Sequence, residues 1–177
     1  MHIRLIAAGG TFDKVYDPIG GGLVFDRTTL PDIVERARLD DAFAIDEAMQ
    51  IDSLDMDDGH RQRLVALCGG AAEYRLVIVH GTDTMVLTAR ALAAARLDKT
   101  IVLTGAMVPY RVARSDAMFN LGYAIAAATH ASPGVYVAMN GRTWPWNAVR
   151  KNRDAGRFES APPADGGSGR SDRPGQA

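Results

Sequence analysis

The stretch RLVIVHGTDTMVLTARALAAARL (75–97) changes its structural grammar halfway along. RLVIVHG (75–81) is an apolar run that predicts a buried strand. DTMVLTARALAAARL (83–97) is alanine-rich with helical spacing, and it predicts a helix. Between them, His80-Gly81-Thr82-Asp83-Thr84 sets hydroxyls and one carboxylate at the end of the strand. Thr82 or Asp83 is expected to serve as the helix N-cap, accepting from its free N–H groups.

The same alternation extends in both directions. IRLIAA (3–8), FAIDEAM (43–49), KTIVLTGA (99–106) and GVYVAM (134–139) predict further strands. LPDIVERARL (30–39), with Pro31 suited to a first turn, predicts a helix, as do DMDDGHRQRLVALCGG (55–70) and RSDAMFNLGYAIAAATH (114–130). Strands alternating with helices specify an α/β domain whose mostly parallel sheet is flanked by helices on both faces. From Ala161 the chain becomes APPADGGSGRSDRPGQA, dense in Pro, Gly, Ser and charge without apolar anchors. The expectation is one domain over 1–160 and a disordered tail over 161–177. TWPW (143–146) reads as a loop after the last strand, its tryptophans packing on the core or forming an interface. Gly20-Gly21-Gly22 suggests a supple lid.

Composition narrows the function. The 177 residues carry 20 basic and 21 acidic side chains, so there is no basic footprint for nucleic acid. No apolar run approaches the length of a membrane span, and the N-terminal MHIRLIAAGG is too short for a signal-peptide core. The single Cys68 excludes an internal disulfide and suits a reducing, cytoplasmic compartment; in LVALCGG it reads as a small buried packing residue. Neither G-x-G-x-x-G after the first strand nor a P-loop is present, which argues against dinucleotide and nucleotide phosphate sites. The scattered His2, His60, His80 and His130 lack metal spacing, and His80 reads as packed and hydrogen-bonded. No G-x-S-x-G elbow occurs.

Ligands of open parallel sheets bind beyond the carboxyl ends of the strands. There the sequence places Gly9-Gly10-Thr11, Asp52-Ser53-Leu54-Asp55-Met56-Asp57 and Gly81-Thr82-Asp83-Thr84, with Lys151 after the last predicted strand. Each has a plain structural alternative: a tight turn, first-turn helix charges for Asp55 and Asp57, a helix cap, a solvated surface lysine. Together, hydroxyls, an acid and a lysine can perform acyl transfer without histidine. A lysine can take a threonine's proton, an aspartate can hold the lysine, and N–H groups beside Gly10 and Thr11 or at the start of the 83–97 helix can meet an oxyanion.

Five ordered segments resemble the bacterial-type L-asparaginase family: AAGGTFDK, DSLDMDD, VIVHGTDTM, TGAMVPYR…SDAMFNL and VAMNGRTWPWNAVRKN. The likeness spans nearly all of residues 3 to 158 and implies a flavodoxin-like or Rossmann-like fold, that of the family's N-terminal domain. It implies hydrolysis of L-asparagine to L-aspartate and ammonia, with no metal and no cofactor. Carried over, it makes Thr11 the candidate primary nucleophile, with Thr82 the alternative site of acylation, and Tyr16 the lid tyrosine assisting it. Thr82, Asp83 and Lys151 become a second triad, Lys151 its base and Asp83 also a holder of the substrate amine. Ser53 holds the α-carboxylate, and Gly10 and Gly81 line the substrate.

The sequence also departs from the pattern. Ala8 and Phe12 replace the usual threonine and isoleucine around Gly-Gly-Thr, as packing changes. Leu54 stands where a glutamine is common. The family's second, smaller domain, which contributes to a neighbouring subunit's site, is not represented, so either a partner in a homodimer or higher homo-oligomer is expected to supply other groups, or affinity is expected to be weaker. Two alternatives stay open: hydrolysis of glutamine or another side-chain amide, and a non-catalytic amino-acid-binding domain.

Overall fold

The computed structural model describes residues 2–39 and 43–162. Its elements run β1 (Ile3–Ala7), a 3-10 turn (Thr11–Asp13), β2 (Lys14–Asp17), β3 (Gly22–Phe25), α1 (Leu30–Arg36), β4 (Phe43–Glu47), α2 (Asp58–Gly70) and β5 (Arg75–Val79). There follow α3 (Met85–Ala94), β6 (Thr100–Thr104), α4 (Ala117–His130), β7 (Gly134–Met139), β8 (Arg142–Pro145), β9 (Val149–Asn152) and β10 (Arg157–Ser160). The tail expected beyond Ser160 lies, from residue 163 onward, outside the described residues.

Six strands form the main sheet in the order β4-β1-β5-β6-β7-β8, parallel except for β8. The apolar runs are continuous because each strand serves two cores. On β5, Leu76 and Ile78 face Leu64 and Cys68 of α2 and Met85, Ala89 and Leu92 of α3. Val77 and Val79 face the other way, toward Leu30 and Ile33 of α1 and Leu121, Ala124 and Ala128 of α4. A period of two inside an unbroken apolar run is the mark of a strand buried on both faces. Cys68 is fully buried in the first core, where burial pushes its thiol up to about 12, so it is a packing residue.

Residues 14–25, which include Gly20-Gly21-Gly22, form an antiparallel hairpin, β2 with β3; its tip is tied by Asp17, which accepts from Ile19 N at 2.9 Å and Gly20 N at 3.0 Å. Two local expectations change. TWPW is largely strand: β8 pairs with β7, Trp144 is 7% exposed, and its Nε1 donates to Ser160 Oγ. Trp146 packs against the same core. The helix after β5 begins later than expected, with Thr84 as its N-cap residue and no side-chain cap bond, so neither Thr82 nor Asp83 is spent on capping. At α2, by contrast, Asp57 is a true cap, accepting from His60 N while the His60 ring accepts from Asp57 N. Among the described residues, no helix is long and apolar enough to cross a membrane.

His80 is fully buried past the end of β5. Its Nδ1 lies 2.7 Å from Gly81 O, which can only accept, so Nδ1 carries the proton and Nε2 accepts from Thr88 Oγ1 at 2.8 Å. Burial pushes the imidazole down to about 4, against about 6.5 ordinarily. The unfolded chain therefore takes up a proton below about pH 6.5 that the folded chain refuses. Stability should fall by about 2 kcal/mol from pH 7 to pH 5 and stay level above pH 7. Urea midpoints over this range check it: His80→Gln, whatever its baseline cost, should lose the slope.

Candidate active site

Reduced to its parallel strands, the sheet order is second-first-third-fourth-fifth, so the direction of winding reverses between β1 and β5. The chain leaves β1 for the α1 side and β5 for the α3 side, opening a crevice at their carboxyl ends. Thr11 follows the first of these strands and Thr82 the third, which places both at that crevice.

The crevice floor is backbone against backbone. Gly10, at φ +81°, lies so close to the strand end that a methyl group on it would come within 2.3 Å of Gly81 Cα. A methyl on Gly81 would stand 2.6 Å from Ser53 Cβ and Oγ. Glycine at both positions lets the Thr11, Ser53 and Thr82 loops meet. The Gly10 N–H donates to Ile51 O at 2.9 Å, so Gly10 contributes the absence of a side chain rather than an oxyanion donor. Ser53 is 1% exposed, and its buried Oγ has no hydrogen-bond partner among the described residues. That is an uncommon state for a buried hydroxyl and marks it as a group available to a ligand. The Ser53 carbonyl accepts from Thr84 Oγ1 at 2.6 Å, which occupies the hydroxyl of the N-cap residue.

Lys151 stands on β9, not beyond the last strand, and its side chain is 11% exposed rather than solvated. Its Nζ donates to Thr82 Oγ1 at 2.8 Å and to Asp83 Oδ1 at 3.0 Å. Arg153 Nε also reaches Asp83 Oδ1 at 3.3 Å, a contact that sequence reasoning did not anticipate. Thr82 is 5% exposed and the Lys151 side chain 11%, so the hydroxyl and the amine are largely shielded from water, while the Asp83 side chain is 30% exposed. Low local dielectric strengthens the hydrogen bond between hydroxyl and amine.

Of the residues singled out from sequence, Thr82, Asp83 and Lys151 meet in one cluster, and Gly10, Gly81 and Ser53 in the adjoining floor. Thr11 is half-buried in the 3-10 turn that follows Gly10. Tyr16 is not gathered in: on β2 it is 62% exposed and, among the described residues, its side chain hydrogen-bonds to none of them. Phe12 is fully buried and stacks on Tyr110, in keeping with a packing change. Leu54 is 64% exposed.

Sequence reasoning missed Asp13. Fully buried, it accepts from Thr29 N at 2.9 Å and Thr29 Oγ1 at 2.7 Å, with Gln50 Nε2 at 3.5 Å. It thus joins both feet of the hairpin beneath Thr11. The only signal in the sequence is an acid set between Phe12 and Lys14 directly after a glycine turn. Among the described residues, no three His, Cys, Asp or Glu side chains converge as a metal site.

Residues 2–162 match the family model of the asparaginase N-terminal domain. L-asparaginase 1 of Escherichia coli K12 is 30% identical over 159 residues, 84% of this chain and 47% of that protein. A glutamyl-tRNA(Gln) amidotransferase subunit from Pyrococcus abyssi is 32% identical over 154 residues, 80% of this chain and 34% of that protein. The solved thermostable L-asparaginase from Thermococcus kodakarensis superposes with a TM-score of 0.79 at 25% identity, covering 90% of this chain and 51% of that one. The chain thus spans less than half the length of either of these two sequence relatives.

The backbone contacts at the floor make a direct test. Gly81→Ala drives a methyl into Ser53 and should cost about 1–3 kcal/mol, read from urea unfolding. Gly10→Ala adds the strain of a positive φ and should cost more.

Proposed function

This chain belongs to the asparaginase family, and on that premise we propose that it is an amidohydrolase converting the side-chain amide of L-asparagine to L-aspartate and ammonia. The observation that carries the reading is the Lys151–Thr82–Asp83 cluster, in which an amine 2.8 Å from a shielded threonine hydroxyl is held by a carboxylate at 3.0 Å. Two protein segments far apart in sequence supply these groups, and a solvated lysine would have no reason to be buried there.

In this reading the α-carboxylate of the substrate accepts from Ser53 Oγ, which has no partner among the described residues, and the glycines at 10 and 81 let the substrate backbone lie against the floor. Thr11 Oγ1 adds to the amide carbon. As the carbon–nitrogen bond breaks, the hydroxyl proton leaves with the nitrogen as ammonia, and an aspartyl ester on Thr11 remains. Water then adds to that ester and restores the Thr11 hydroxyl as aspartate departs. In that second step Thr82 Oγ1 takes a proton from the attacking water as its own passes to Lys151, Asp83 stabilises the ammonium so formed, and the proton returns by the same route to the departing Thr11 oxygen. The exposed Tyr16 reaches the substrate when the hairpin folds over the crevice. No metal or cofactor takes part in these steps.

The match to an amidotransferase component supports a second reading, release of ammonia from glutamine or another side-chain amide. Both readings fit a cytoplasmic enzyme acting as a homo-oligomer.

Ammonia release from L-asparagine and, separately, L-glutamine tests the proposal. Thr11→Ala, Thr82→Ala and Lys151→Met should each cost at least about 100-fold in kcat, the scale of a lost nucleophile or general base, while leaving the fold intact by circular dichroism. Turnover undiminished in Lys151→Met would refute the role of the cluster. Thermal stabilisation by L-aspartate without turnover of either amide would move the assignment to an amino-acid-binding domain.

A further inference from the structure

Lys14 links the two loops that the proposed reaction uses. Its backbone N–H donates to Thr11 O, closing the 3-10 turn that carries the nucleophile. Its side-chain Nζ donates to Asp52 Oδ2 at 2.7 Å, next to the residue assigned to the substrate carboxylate. Both side chains are half-buried, 20% exposed for Lys14 and 30% for Asp52. The Lys14 ammonium also stands 5.2 Å over the Phe25 ring, its cross-strand partner on β3.

Asp52 uses its other oxygen as well. Oδ1 accepts from Leu54 N at 3.1 Å and the Asp52 carbonyl from Asp55 N at 3.0 Å, so one carboxylate shapes the turn around Ser53 while its partner oxygen ties that turn to Thr11. The Lys14 hydrogen bond, then the Leu54 N–H, hold the Asp52 carboxyl below the usual carboxylate range, and the charge of Lys151 adds to this. The far side of the Ser53 turn is pinned to α3 through Thr84. Ser53 is therefore fixed between two anchors, one of which leads directly to Thr11.

We propose that the Lys14–Asp52 ion pair is a specificity-determining element, setting the separation between the carboxylate-holding Ser53 and the attacking Thr11 and so measuring the length of the substrate side chain. The inference rests on the amidohydrolase reading above. Asparagine and glutamine present the same two ends and differ by one methylene between them. A rigid separation therefore rejects the wrong length, whereas a slack one accepts both. Lys14 and Asp52 are positioning residues; neither needs to touch the reacting atoms.

The test compares Lys14→Met, Asp52→Asn, the double variant and Lys14→Arg. Asp52→Asn keeps an oxygen for Leu54 N and removes only the charge. For each, kcat and KM are measured with L-asparagine and L-glutamine, and calorimetry gives the affinities for the products L-aspartate and L-glutamate. The wild-type preference between the two amides should shrink about fivefold in each single variant, mainly through KM, the scale of a partly exposed ion pair. The double variant should be no worse than either single one, because both remove the same link. Lys14→Arg should keep most of the preference. Equal losses with both amides, or an additive double variant, would overturn the proposal.

If the wild type turns over neither amide, the amidohydrolase reading fails, and the product affinities decide on the pair. An aspartate-to-glutamate ratio that collapses in the variants sustains it. An unchanged ratio, or no binding of either acid, overturns it.

Discussion

A strand buried on both faces has no place for a polar side chain until it ends. β5 lies between two apolar layers, so the chain's hydroxyls and charges are excluded from its buried positions and collect immediately after Val79. The parallel pairing of β1 with β5 brings a second such strand end alongside, in register from Ile3 with Arg75 to Ala7 with Val79. Two such strand ends side by side leave a crevice whose walls are loops. The rest of the site consists of groups drawn to that edge: Ser53 through its contact with Gly81, and Lys151 through Thr82 and Asp83.

This constraint also explains what was legible in the sequence. β1, β5, β6 and β7 are strands of five or six mostly apolar residues, and α3 and α4 are alanine-rich; local composition specifies them and hence the parallel sheet. β2, β3, β8, β9 and β10 are four residues each, and VRKN and RFES carry more charge than apolar surface. They are strands because a neighbour offers a ladder, which no local pattern records. Tertiary context likewise overrode the capping expectation at residues 82–84, since Thr84 Oγ1 donates to the Ser53 carbonyl, while Thr82 faces Lys151.

The candidate site was legible by motif and only partly by geometry. HGTDT marks a strand end with hydroxyls, but nothing in RKNRD reveals that its lysine turns inward, because that depends on the β9–β10 ribbon setting it across from the end of β5. The pairing of Lys14 with Asp52 spans thirty-eight residues, and that of Asp13 with Thr29 spans sixteen. Each of these residues alone is an ordinary polar side chain beside a turn. His80 is the opposite case: its neutrality follows from its burial, and that burial follows from its standing at the end of an apolar strand.

The clasp of Asp13 on Thr29 has a consequence for how such a domain can diverge. Because the two feet of the β2–β3 hairpin are joined to each other, its tip (17–22) lies beyond the clasp, while Lys14 and Thr28 still tie its base to Asp52 and Glu47. The length of the tip then enters stability only through the entropy of a loop, which grows by about 0.6 kcal/mol per doubling. Insertions and exchanges at the tip fall above the clasp, away from the turn beneath it. The hairpin tip is free to drift in size and chemistry across descendants while the threonine below the clasp stays in place.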